Sequence, residues 1–138
     1  MKNRNVLVAI VVIGAAFVGT RFFLDRERDE PSGAPLVQVS VPPLSGGAKE
    51  GESLFNANCA ECHGENAAGR DGAGRPFVHP VYQPGHHADG SFFLAVRNGA
   101  IAHHWRFGDM PPVEGITDSE IEKIVAYVRT MQQANGIN

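Results

Sequence analysis

The chain has 138 residues, of which 43% are hydrophobic and 20% are charged, and its formal net charge is −3. This length allows one ordinary domain at most. Acidic residues outnumber lysine and arginine by 15 to 12, so the basic surface that nucleic-acid binding requires is not expected. Nucleic-acid binding is therefore excluded as a function.

The N-terminus carries the pattern of a membrane segment. Lys2 and Arg4 precede an apolar run over residues 6–24, and its nineteen residues are enough for one spanning helix. Basic residues before such a run keep the N-terminus in the cytoplasm. The sequence thus predicts a membrane anchor, or uncleaved signal, at residues 1–24, with the rest of the chain on the periplasmic side. A cleaved secretory signal is the alternative, because the Gly-Ala-Ala stretch at 14–16 suits a cleavage site.

Residues 25–48 have the composition of a flexible linker. Alternating acids and bases are followed by a stretch rich in proline, glycine and serine, which is typical of a tether. Residues 36–41 alternate apolar and polar side chains like a short strand, but prolines enclose them, so an isolated strand is not expected. They could instead lie as an extended segment on the following domain, which is predicted at residues 49–138.

A helix predicted for residues 49–60 leads directly into Cys59-Ala60-Glu61-Cys62-His63. Two thiols at this spacing can add to the two vinyl groups of one porphyrin, and the imidazole that follows can bind its iron. Cys59 and Cys62 are the only cysteines in the chain. The motif predicts one covalently bound haem c with His63 as the proximal ligand.

The two cysteines allow three other interpretations. A structural zinc site needs four ligands, and no histidine pair follows at the usual spacing. A thioredoxin-like pair should follow a strand in a βαβ unit, and no such pattern surrounds the motif. A disulfide between cysteines so close in the chain would gain little loop-closure entropy.

Two further helices are predicted downstream. One covers residues 89–98, where Asp89 or Ser91 can cap the N-terminus and Gly99 can end the helix. The other covers residues 117–133 and opens with a capping box. Its inward face is predicted to consist of apolar residues, namely Ile121, Ile124, Val125, Val128 and Met131.

The order of these motifs resembles that of a class I cytochrome c. The resemblance is carried by Cys-x-x-Cys-His-Gly at 59–64, a Gly-rich loop, Gly-Arg-Pro-Phe at 74–77, Gly-Asp-Met-Pro-Pro at 108–112 and the terminal helix. It covers roughly residues 49–134. It implies an all-α fold of three to four helices wrapped around one covalent haem, preceded here by a transmembrane helix and a Pro/Gly-rich linker.

The resemblance also implies roles for individual residues. Met110 of the Met-Pro pair would be the second axial ligand of the iron, beside His63, which raises the reduction potential and leaves no open site. Pro76 would supply a carbonyl to the ring N–H of His63 and so fix the imidazole. Phe77 would pack on the haem, and Trp105 would cover it on the side of Met110.

Two adjacent histidine pairs, His86-His87 and His103-His104, depart from a plain small cytochrome. The simplest interpretation is that they line loops and contact haem propionates or water. His103 or His104 lies close enough to Met110 in the chain to compete with it for the iron. The two pairs could also form a second, copper-like site, since imidazole suits copper. Nothing in their spacing fixes their mutual geometry.

These features predict a one-electron carrier, not an enzyme, that cycles its haem between ferric and ferrous in a respiratory-type chain. The expected partners are the membrane, through the N-terminal anchor, and redox proteins such as donor and acceptor cytochromes, an oxidase or a dehydrogenase. From residue 49 onward eleven acids face seven bases, which favours partners with basic or neutral apolar docking surfaces. Two alternatives stay open, namely a subunit of a larger membrane oxidoreductase complex, and a haem or copper redox enzyme or sensor.

Overall fold

The structure is a computed structural model, and it describes residues 31–138. The predicted anchor at residues 1–24 and the start of the predicted linker lie outside the described residues. Within residues 31–138, no helix combines the length and the apolar character needed to cross a membrane.

The described part of the chain is mostly helical and contains two isolated bridges but no strand. Its elements are α1 (Gly46–Asn58), α2 (Ala60–His63), a 3₁₀ turn (Glu65–Ala67), a second 3₁₀ turn (Pro80–Tyr82), α3 (Asp89–Asn98) and α4 (Asp118–Ala134). The all-α prediction is confirmed for these residues.

Helices α1 and α2 carry the cysteine motif. Helix α1 begins at Gly46, three residues earlier than predicted, and Cys59 separates it from α2. Gly64 ends α2 with φ +72°, a positive φ that suits glycine. A Cβ at this position would lie 2.2 Å from the carbonyl oxygen of Gly69. The chain can therefore turn sharply after His63 only with glycine there.

Helix α3 has the predicted bounds but not the predicted cap. Its N-cap is Ala88, whose side chain makes no capping bond. Ser91 Oγ donates to the Ala88 carbonyl oxygen at 2.7 Å, and the Asp89 carboxylate accepts from Arg129. Asp89 is the first helical residue, and its carboxylate is used in a tertiary ion pair.

Helix α4 confirms its predicted start and its predicted apolar face. Thr117 is the N-cap, and both bonds of the capping box with Glu120 are present. The five apolar residues assigned to the inward face are all buried, and Met131 is 0% exposed.

Helices α1 and α4 cross at Gly51. A Cβ on Gly51 would lie 1.9 Å from the carbonyl oxygen of Lys123 and 3.0 Å from Cβ of Tyr127, so only glycine lets the two backbones approach this closely. One turn further along α1, the ring of Phe55 lies 5.3 Å from that of Tyr127.

Residues 32–44 lie along the helical domain. The carbonyl oxygen of Ala68 accepts from the backbone N–H groups of Leu36 and Val37, both at 3.2 Å. Further along, the Asn135 side chain accepts from Ser40 N and donates to Ser40 O, at 2.8 and 2.9 Å. Residues 32–44 belong to the predicted linker over 25–48. Several of their backbone groups, including those of Leu36, Val37 and Ser40, are hydrogen-bonded to the domain, as the alternative of an extended packed segment predicts.

Substitution of Gly51 tests the helix crossing. We expect Gly51→Ala to destabilise the protein by about 2–3 kcal/mol, because an added methyl group forces two packed backbones apart. The measurement is denaturant unfolding of the haem-loaded protein, followed by far-UV circular dichroism.

Gly47→Ala is the matched control, since Gly47 lies in the same helix and a Cβ there meets nothing within 4 Å. We expect it to leave stability unchanged or raise it slightly, because alanine favours helix more than glycine does. Equal effects of the two substitutions would contradict a close crossing at Gly51.

Candidate functional site

In the described part of the chain, helices and loops form a cavity that brings the predicted haem-attachment cysteines and axial ligands together. Its volume is about 370 Å³, within the range of small-molecule and cofactor sites. Cys59, Cys62, His63 and Met110 all line it. The rest of the lining is largely apolar and includes Phe77, Phe92, Ala95, Val96, Val113, Ile121, Ile124 and Val125.

The ring of His63 is held by a backbone carbonyl. Its Nδ1 lies 3.0 Å from the carbonyl oxygen of Arg75. Because a carbonyl only accepts hydrogen bonds, Nδ1 carries the proton and Nε2 keeps its lone pair free for a metal. Burial lowers the pKa of His63, which favours the neutral form that binds iron. The Phe77 ring stacks on the imidazole at 4.2 Å between centroids and restricts its rotation.

The acceptor of this bond corrects the prediction for Pro76. The carbonyl belongs to Arg75, one residue earlier. Proline restricts the residue before it to extended backbone, so the role of Pro76 is to set the backbone of Arg75. Pro76 itself is fully buried and is not among the described residues that line the cavity.

The backbone of Met110 is paired with the start of the loop after α3. Met110 and Ala100 exchange two backbone hydrogen bonds, both of 2.9 Å. A Cβ on Gly99, the residue before Ala100, would lie 2.4 Å from the Met110 carbonyl oxygen. This pairing presents Met110 to the same cavity as His63 from a short, fixed segment.

The cysteines form no disulfide with each other, so the disulfide interpretation is not supported. Burial, with a smaller contribution from Cys62, raises the pKa of the Cys59 thiol to about 11. A thiol that resists ionisation is a poor redox nucleophile. An uncharged thioether suits the same surroundings, so the donor set fits a covalently attached haem.

A second feature that fits haem is a pair of buried polar atoms. Tyr82 Oη and Trp105 Nε1 are buried and find no hydrogen-bond partner among residues 31–138. Burial raises the pKa of Tyr82, and the neighbouring Arg75 and Trp105 side chains partly offset this rise. Arg75 is 7% exposed. Two donors and a guanidinium that converge in this way can bind a carboxylate such as a haem propionate.

The sequence does not identify this polar cluster. It does not distinguish Arg75 from the other arginines of the domain, and nothing in the local pattern distinguishes Tyr82. Trp105, which the resemblance places over the haem, is not among the described residues that line the cavity. Its indole ring lies edge-on to His79, with centroids 5.2 Å apart. Its role in haem binding stays a prediction.

Comparison with known proteins agrees with these features. The family model described as Cytochrome c matches residues 48–132, which is more than half of the chain. The chain belongs to the cytochrome c family. Cytochromes of this family carry covalently bound haem c, and Cys59 and Cys62 fit the attachment motif. Neither the curated proteins nor the solved structures that were searched gave a match.

Arg129 of α4 connects the wall of this cytochrome's cavity to the loops around it. Its guanidinium donates to the carbonyl oxygens of Tyr82 at 2.7 Å and His87 at 2.5 Å. It also donates to the Asp89 carboxylate at 2.7 Å and lies over the Phe92 ring, 5.0 Å from its centroid. Because the side chain is only 12% exposed, these bonds are largely shielded from water. Arg129 thus fixes the loop that joins Tyr82 to α3.

Removal of this guanidinium should weaken the domain. We expect Arg129→Gln to lower the free energy of unfolding by about 2–3 kcal/mol, since hydrogen bonds to a charged group are each worth about 1.5–3 kcal/mol and glutamine replaces some of them. Chemical unfolding of the haem-loaded protein measures this.

Arg106→Gln is the control for the lost charge, because Arg106 is exposed. We expect it to change stability by no more than about 0.5 kcal/mol. If Arg129→Gln were as stable as Arg106→Gln, the anchoring role of Arg129 would be wrong.

Proposed function

We propose that the protein is a class I, mono-haem cytochrome c that carries single electrons in a respiratory-type chain, with His63 and Met110 as axial ligands. The observation that carries this proposal is that Cys59, Cys62, His63 and Met110 line a single cavity. When bound, the haem supplies the ferric–ferrous couple.

The chain's own residues would keep the site rigid during electron transfer. The Arg75 carbonyl holds His63 in one tautomer and one orientation. The paired backbone of Ala100 and Met110 presents the thioether from a segment with little freedom to move. The apolar lining excludes water from the cavity. A ligand set that need not change favours fast electron transfer, whereas an enzyme would need an open position.

The surface near the cavity suggests how redox partners dock. Leu94 lines the cavity and is 64% exposed, and Ile101 is 79% exposed. Four of the seven basic residues from residue 49 onward are engaged in ion pairs, namely Lys49, Arg97, Lys123 and Arg129. We propose that partners bind an apolar patch with an acidic surround, so that their own docking faces are apolar or basic.

The proposal also includes attachment to the membrane by residues 1–24, with the haem domain on the periplasmic side. Its support is the basic start and the apolar run of the sequence. We expect the intact mass of the native haem-loaded protein to correspond to the whole chain plus one haem. A mass that matches a chain starting just after residues 14–16 would show that the N-terminal segment is a cleaved signal and not an anchor. The electron-carrier proposal would be unaffected by that result.

Replacement of Met110 tests the axial ligand. We expect the wild-type ferric protein to show the weak near-infrared charge-transfer band of Met–iron ligation, and Met110→Ala to lack it. The variant should also have a lower reduction potential, because His/Met ligation raises it. Its ferrous form should bind carbon monoxide rapidly and stoichiometrically, whereas the wild type should not.

Met131→Leu is the control, since Met131 is fully buried in the core of the domain. Met131→Leu should keep the charge-transfer band, and its ferrous form should not bind carbon monoxide. If the wild-type haem were low-spin but lacked the band, the second axial ligand would be a histidine and not Met110. His103, which also lines the cavity, would then be the candidate. A high-spin wild type would overturn the carrier proposal in favour of an enzyme or sensor.

A further inference from the structure

The two histidine pairs are separated in the sequence but lie close together in the structure. One ring nitrogen from each of His86, His87 and His104 lies within 4.8 Å of the others. The Nε2 atoms of His86 and His104 are 3.4 Å apart. The haem site proposed above uses none of these three residues as a ligand.

This spacing is close to what a metal ion requires. Metal–nitrogen bonds of about 2.0–2.1 Å place neighbouring ligand nitrogens about 2.9 Å apart in the square-planar geometry of copper(II) and about 3.3 Å apart in a tetrahedral site. The Nε2 atoms of His86 and His104 are 3.4 Å apart, slightly further than either geometry requires. Both residues are exposed, so small side-chain rotations can close this gap and bring the third nitrogen in.

One of the three rings is already oriented as in metal sites. Nδ1 of His87 lies 2.7 Å from the carbonyl oxygen of Val81, so Nδ1 carries the proton and Nε2 is left as a free donor. Metal-binding histidines almost always direct their second ring nitrogen to such an acceptor. For the other two rings, the alternative to metal binding is an N–H···N hydrogen bond between His86 and His104.

Both loops that carry the cluster are fixed to the domain. The backbone N–H groups of His86 and His87 donate to the Gln83 carbonyl oxygen at 2.9 and 2.8 Å, and Arg129 binds the His87 carbonyl oxygen. On the other loop, Ala102 N donates to Asp109 Oδ1 at 2.8 Å. The three rings therefore meet because the backbone holds them there.

From this geometry we propose that His86, His87 and His104 form a copper(II) site on the rim of the haem cavity. The donor set is made of imidazoles only, which excludes the oxygen-seeking ions Ca²⁺ and Mg²⁺. Among divalent ions that bind imidazole, copper(II) binds most tightly. The rim position follows because His87 lines the cavity, as does His103 beside His104 in the chain.

Copper uptake by the full-length haem-loaded protein tests the site. We expect calorimetric titration with Cu²⁺ to give one ion per chain, and the electron paramagnetic resonance spectrum to show three nitrogen ligands. His104→Gln should weaken binding at least tenfold, and the double variant His86→Gln, His104→Gln should lose stoichiometric uptake. Both residues are exposed, so the fold should tolerate these changes. This readout does not depend on the ligation of the haem.

His79→Asn is the matched control, because His79 lies outside the cluster and asparagine can replace its Nδ1 as the acceptor from Val81 N. It should bind copper like the wild type. If it weakened binding as much as His104→Gln, or if the wild type took up copper only weakly and in several equivalents, the site would be refuted and the His86–His104 contact would be a hydrogen bond.

A second measurement tests the position on the cavity rim, and it rests on the proposed function. Zn²⁺, which has no redox chemistry of its own, should compete with Cu²⁺ and raise the midpoint potential of the haem in the wild type, because positive charge nearby disfavours ferric iron. The potential of the His104→Gln variant should stay unchanged. An unchanged potential in a zinc-loaded wild type would overturn the rim position, and a wild type without Met ligation would instead count against the proposed function.

Discussion

The close crossing of α1 and α4 at Gly51 is the constraint on which the rest of the domain depends. The approach of Gly51 to the Lys123 backbone sets the position of α1, and Cys59 follows α1 without an intervening loop. The same crossing sets the face of α4 that carries Arg129 and Gln132. Gln132, 1% exposed, donates to the carbonyl oxygens of Phe77 and Tyr82 at 2.8 and 3.1 Å. One backbone contact therefore places both the haem-attachment motif and the loop opposite it.

Local signals predict the parts of this structure that short-range physics determines. The Cys-x-x-Cys-His motif, the capping box at Thr117 and the apolar face of α4 all follow from spacing along the chain, and the structure contains the helices that they predict. The unpredicted features come from contacts between distant segments. Residues 32–44 pack on the domain because Ala68 and Asn135 offer partners for their backbone, and composition alone cannot show this. The carbonyl that accepts from His63 belongs to Arg75 and not to Pro76. Proline restricts the backbone of the residue before it, so the prediction was wrong by one residue.

The meeting of the two histidine pairs is another contact between distant segments that the sequence does not determine. The sequence shows two His-His pairs but not whether they meet, because that depends on how α3 returns the chain to the loop at 83–87. In the structure Arg129 holds one pair through the His87 carbonyl, while the bridge between Ala100 and Met110 fixes the start of the loop that carries the other. The elements that shape the haem cavity thus also shape the cluster.

Haem and protein share one core in this small domain. Val96, Ile121, Ile124 and Val125 belong to the buried hydrophobic cluster and also line the cavity, so the surface that binds the haem is a face of the core itself. A domain of this size buries too little apolar surface to be very stable alone, and a covalently held apolar ring adds to that surface, much as a disulfide or metal ion supports other small folds. Attachment through Cys59 and Cys62 is therefore as much a part of the fold as of the function. Stability and redox behaviour should accordingly change together when residues of this shared face are replaced.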